Sequence, residues 1–81
     1  MDSIIITVRI QGGFECDIEV QPDVPCGELA LQIVEAIKLK VPGMAVVGTP
    51  YLTAGGMRLQ EKVTLGSKGM WDGSIITLAF A

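Results

Sequence analysis

Ile4-Ile5-Ile6-Thr7-Val8-Arg9-Ile10, then Gln11-Gly12-Gly13, then Phe14-Glu15-Cys16-Asp17-Ile18-Glu19-Val20, is the stretch of sequence that decides the fold. The first run is β-branched except at Arg9, and its alternation puts Ile4, Ile6, Val8 and Ile10 on one face and Ile5, Thr7 and Arg9 on the other. That is a strand with one core face. The Gln-Gly-Gly that follows tolerates the positive φ of a tight turn, and alternation resumes with Phe14, Cys16, Ile18 and Val20 apolar against Glu15, Asp17 and Glu19 acidic. The chain therefore opens with a β-hairpin. An all-acidic outward row discourages pairing with another molecule, so the second strand is expected at a sheet edge.

After a connector with prolines at 22 and 25, Gly27 to about Lys40 is free of proline and rich in helix formers. At 100° per residue Leu29, Ala30, Ile33, Val34, Ala36 and Ile37 form one stripe. That stripe must pack on the sheet. Leu31 and Leu39 fall on the polar side, as loop-covered or ordinary exposed apolar residues or as a contact surface. Val41-Pro42-Gly43 ends the helix, and residues 44–50 form an irregular connector. Tyr51-Leu52-Thr53 reads as a short strand, Gly55-Gly56 as a turn, and Met57 to Leu59 as a shorter strand. A turn-rich stretch holding Trp71-Asp72-Gly73 then leads to a β-branched final run, Ser74 to Phe80, with Ile76, Leu78 and Phe80 on one face. The order β-β-α-β-β-β gives an α+β fold, a mixed sheet with one packed helix, and pairs the first and last strands in parallel at the centre.

Composition narrows the function. With 81 residues, 49% of them apolar, and a mean hydropathy of +0.51, one small domain spanning residues 1–81 is expected. A net charge of −3 lacks the basic excess that nucleic-acid binding uses, so no nucleic acid is expected as partner. No apolar run reaches membrane-spanning length and Asp2 stands where a signal peptide would be basic, so no membrane insertion and a cytoplasmic location are expected. Cys16 and Cys26 are too few for a disulfide framework and read as reduced structural thiols. Histidine is absent, which removes the commonest acid-base group and metal ligand. An enzyme is not expected, nor is a cofactor or metal. Gly12-Gly13 and Gly55-Gly56 open no helix and precede no Lys-Ser/Thr, so they are turns rather than phosphate loops.

The element order, in this length, resembles the β-grasp fold of ubiquitin. Glu19-Val20-Gln21-Pro22 stands where ubiquitin-like chains have Glu-Val-x-Pro, and Ala54-Gly55, Leu59, Leu65, Met70, Ile76 and Leu78 keep the apolar spacing of their second half. Two stretches, Pro22-Asp23-Val24-Pro25-x-x-Glu28-Leu29 and Gly69-Met70-Trp71-Asp72-Gly73-Ser74-Ile75-Ile76, resemble the YukD or EsaB family. Those are small ubiquitin-like proteins of the WXG100 (type VII) secretion systems of Gram-positive bacteria. The same stretches resemble the ubiquitin-like domain fused to a membrane channel component of these systems. The resemblance implies a non-catalytic interaction or regulatory protein, an accessory component whose partners belong to the secretion machinery. The alternatives are a ubiquitin-like domain of a larger membrane secretion component, or a protein modifier or sulfur carrier. The last would need a terminal Gly-Gly, and the sequence ends Phe80-Ala81. The expectation is that it forms no conjugates.

In the ubiquitin-like register the sheet face away from the helix carries Ile5, Thr7, Arg9, Leu52, Thr77 and Ala79. Ubiquitin meets its receptors on the corresponding patch, here thinned by Gln11 and Ala79, so ubiquitin receptors are not expected to bind. Register in the third strand is open, and either Tyr51 or Leu52 faces outward. Trp71, in a turn, either folds over the core rim or serves as a binding anchor. The expected protein-binding residues are Tyr51, Leu52, Trp71 and Ala79, with homodimerisation through the same patch as the competing use. The row Glu15, Asp17 and Glu19 is either a solvated edge or a surface for a basic partner.

Overall fold

A computed structural model describes residues 3–10, 13–43 and 48–81. The hairpin forms as expected from strands β1 (Ile4–Ile10) and β2 (Phe14–Val20), paired antiparallel from Ile4 with Val20 to Ile10 with Phe14. Gly13 has the positive φ that the turn demands, at 105°. Gln11 and Gly12 lie outside the described residues, as do 44–47 of the connector. Helix α1 (Cys26–Lys40) is followed by β3 (Pro50–Ala54), β4 (Met57–Arg58), a 3-10 turn (Gly66–Lys68) and β5 (Ile75–Phe80). The sheet order is β2-β1-β5-β3-β4. β1 and β5 are parallel neighbours at the centre, and β2 is an edge strand, both as the sequence implies.

One face of this sheet packs under the helix. Ile4, Ile6, Val8, Ile18, Val20, Ile76 and Leu78 from the strands meet Leu29, Ala30, Ile33, Val34 and Ile37 from α1 in a single core cluster, closed below by Leu59 and Leu65. Burial of each large aliphatic side chain is worth about 1.5–3 kcal/mol, and this is what holds a domain of this size. Phe14 shares the inward register with Cys16, Ile18 and Val20 yet is exposed. It pairs with Ile10 at the hairpin end, outside the core cluster. Cys16, next along, is half-buried.

The helix begins one residue earlier than the sequence suggests because its first N–H groups have partners outside it. Pro25 stands at the N-cap, and no side chain caps the helix there. Instead the Cys26 N–H donates to the Val63 carbonyl at 2.7 Å and the Gly27 N–H to the Glu61 carbonyl at 3.0 Å. That approach is close: a Cβ on Gly27 would stand 3.0 Å from the Glu61 Cβ, so a side chain there would crowd the loop against the helix start. At the other end Lys38 and Lys40 in the last turn complement the helix dipole, and the Val41 N–H bonds to the Ile37 carbonyl.

Candidate functional site

Strand pairing fixes which residues share the outer face, the face turned away from α1. Paired residues point to the same side, so the register places Glu19 beside Ile5, then Asp17, Thr7 and Ile75 together. Next come Glu15, Arg9, Thr77, Thr53 and Arg58, and finally Ala79 beside Tyr51. This settles the ambiguity in β3: Tyr51 is outward and Leu52 inward, opposite Leu78.

The expected surface patch must therefore be corrected. Leu52 is 1% exposed and belongs to the core, because the alternation that turns Tyr51 out must turn Leu52 in. Ala79 does lie on the outer face, but it is buried, its methyl too short to emerge beside the Tyr51 ring and the central strands. Tyr51 is half-buried, with the Arg58 guanidinium 4.3 Å from its ring centroid. Of the four residues only Trp71 is a large exposed apolar group, at 60%. It stands apart from Tyr51 and Ala79, since Ile75 and Ala79 mark opposite ends of β5, about 13 Å apart at the strand rise.

The turn of Trp71 lies instead at the Ile5 and Ile75 end of the sheet. It is docked on β1 by three long-range bonds. The Asp72 carboxylate accepts the Ile5 N–H at 2.7 Å, the Gly73 N–H donates to the Ile5 carbonyl at 2.9 Å, and the Thr7 N–H donates to the Ser74 carbonyl at 2.9 Å. Within the turn the Trp71 N–H donates to the Ser74 hydroxyl and the Ser74 N–H to the Trp71 carbonyl, both at 3.1 Å. Gly73 takes φ +86°, which a residue with a side chain rarely adopts. Ile5 is 52% and Ile75 48% exposed on the outer face, and the turn that carries Trp71 docks at their end of the sheet. Of these, the sequence marks Trp71 as a candidate anchor and places Ile5 on the outward face, though not among the binding residues. The signal for the others was present, since branched apolar residues occupy outward registers of both central strands.

The acidic row has its partners within the chain. Ser3 donates to Glu19 at 2.8 Å, Thr7 to Asp17 at 2.8 Å, and Arg9 to Glu15 at 2.6 Å. A solvated, internally zipped edge is what these carboxylates form. Cys26 is buried, and burial pushes its thiol pKa up from the ordinary value, with Lys68 pulling weakly back. The neutral thiol fills core space. Among the described residues no helix is long and apolar enough to cross a membrane, and Leu31 and Leu39 are exposed.

A mixed five-stranded sheet with central parallel strands and one helix packed across it is the ubiquitin-like β-grasp fold. Solved structures match it over nearly the whole chain. The EccD5 ubiquitin-like domain from Mycobacterium xenopi is similar with a TM-score of 0.82 at 13% identity, over 100% of this chain and 97% of that one. A chain of the MycP5-free ESX-5 inner membrane complex gives 0.81 at 15% identity, over 98% of this chain and 21% of that one. Ubiquitin of Caldiarchaeum subterraneum gives 0.72 at 28% identity, over 99% and 95% respectively. No protein-family model and no curated protein sequence matches the chain.

Proposed function

We propose that the chain is a non-catalytic protein-interaction module, a cytoplasmic accessory component of a type VII (WXG100) secretion system of the YukD or EsaB kind. The observation that carries the reading is the exposed corner of Trp71, Ile5 and Ile75, held in place by the Asp72 and Gly73 bonds to Ile5. An exposed tryptophan on a hydrogen-bonded turn, at the same sheet end as exposed branched aliphatics, is the composition of an interface anchor, and such residues dominate binding energy. The likeness to the EccD5 ubiquitin-like domain and to a chain of the ESX-5 inner membrane complex points to the partner. The test is co-purification of the tagged protein with the secretion membrane complex of its own cells, comparing wild type with Trp71→Ala. Association lost in the variant supports the reading, and association unchanged by it contradicts it.

A second reading is favoured by one finding. The match to the ESX-5 chain covers only 21% of that chain, so this fold also serves as one domain of a larger membrane-complex subunit. The same corner would then dock a neighbouring subunit.

A further inference from the structure

We propose that the groove between β4 and the 3-10 turn is a second protein-binding site, one that takes an acidic segment carrying an apolar side chain from a partner protein. The groove holds about 320 Å³ and is lined by Ala54, Met57, Arg58, Leu59, Gln60, Lys68 and Met70. Met57 is 73% exposed at its mouth and Met70 half-buried. Methionine side chains are unbranched and polarisable, so they adapt to an apolar group inserted between them.

Charge selects the occupant. Residues 57–70 carry Arg58, Lys62 and Lys68 against Glu61 alone, a balance of +2, whereas the whole chain is at −3 and the remainder therefore at −5. Elsewhere the described cations are engaged: Arg9 with Glu15 at 2.6 Å, Lys38 with Glu35 at 3.6 Å, and Lys40 on the Asp17 carbonyl at 3.3 Å. Among the described residues Arg58, Lys62 and Lys68 pair with no carboxylate. Arg58 is nonetheless held in place by the Tyr51 ring, so engaging a carboxylate would cost it little further entropy. An acidic segment would be steered to this edge and repelled by the rest of the surface. A second copy of the chain fits less well, because its acidic row is already bonded to its own Ser3, Thr7 and Arg9.

The probe is a phage library of random twelve-residue peptides, selected on the full chain. The expected result is enrichment of net-acidic sequences with an apolar residue, binding weakened at least ten-fold by the double variant Arg58→Glu/Lys68→Glu, and affinity falling several-fold as salt rises. Met57→Asp, at an exposed position that leaves the cations in place, should also weaken binding, and unchanged melting of both variants shows that they fold. Neutral or basic enriched sequences, no enrichment, binding indifferent to both variants, or peptide-induced NMR shifts confined to Ile5, Trp71 and Ile75 would each overturn the proposal. A concentration-dependent rise in mass abolished by the charge reversal would assign the groove to a second copy and overturn it too. None of these readouts depends on the secretion system, so failure here and failure of the Trp71 corner are separate results.

Discussion

The Asp72 carboxylate oxygen lies 2.7 Å from the Ile5 N–H, tying a turn near the end of the chain to the start of its first strand across 67 positions. The neighbouring Gly73 N–H returns a bond to the Ile5 carbonyl at 2.9 Å, so one residue of β1 is gripped from both sides. Asp72→Ala leaves the Ile5 N–H to water, and at this exposed site the cost should be about 1 kcal/mol. In a domain of this size that lowers the melting temperature by about 4–8 °C. Amide exchange at Ile5 should quicken with it, and an unchanged rate would show that the bond is not made in solution.

Trp71→Ala should leave stability nearly untouched, by less than about 1 kcal/mol, because the side chain is mostly in solvent. Partner binding should weaken by about 2 kcal/mol or more. Melting and binding assays on the one variant check both halves. A loss of about 3 kcal/mol in stability would instead make Trp71 a lid on the core.

Leu52→Ala should behave in the opposite way. The side chain is fully buried opposite Leu78, so truncation leaves a cavity and should cost about 2–5 kcal/mol by urea denaturation. The variant should unfold or melt far below wild type. Normal stability with weakened binding would return Leu52 to the surface.

The contrast between these two residues shows what a sequence can carry. β1 and β2 are legible because the first is a β-branched seven-residue run and the second alternates apolar with acidic residues, and its acidic row places β2 at the edge. β3 has only five residues, with a proline at one end and an alanine at the other, so periodicity alone could not say whether Tyr51 or Leu52 faced the helix. Pairing with Leu78 decides it, and that is a long-range fact. The exposure of Trp71 likewise depends on where its turn docks, through bonds from Asp72 and Gly73 to a residue far away in the chain. Leu59 and Leu65 belong to the spaced apolar positions, whereas the Glu61 and Val63 carbonyls over the helix start had no local signal.

Cys26 offers a pH test. Burial raises its thiol pKa above the ordinary value of 9.0, so the folded chain holds the proton more tightly than the unfolded one. The resulting stability is complete below the unfolded value and is lost as pH rises through the folded one. Urea midpoints measured from about pH 7 to about pH 10.5 should therefore fall more steeply for wild type than for Cys26→Ala. Alkylation of Cys26 in the native state should be slow, and equal slopes with rapid alkylation would mean an accessible thiol.

Docking through the Trp71, Ile5 and Ile75 corner is tested most directly by site-specific photocrosslinking in the organism's own cells, with the crosslinker placed in turn at positions 71, 75 and 35. Positions 71 and 75 should yield a discrete adduct with a subunit of the secretion membrane complex, while position 35, on the exposed side of α1, yields none. Adducts from position 35 alone, or adducts at 71 and 75 only with proteins outside that complex, would contradict the assignment.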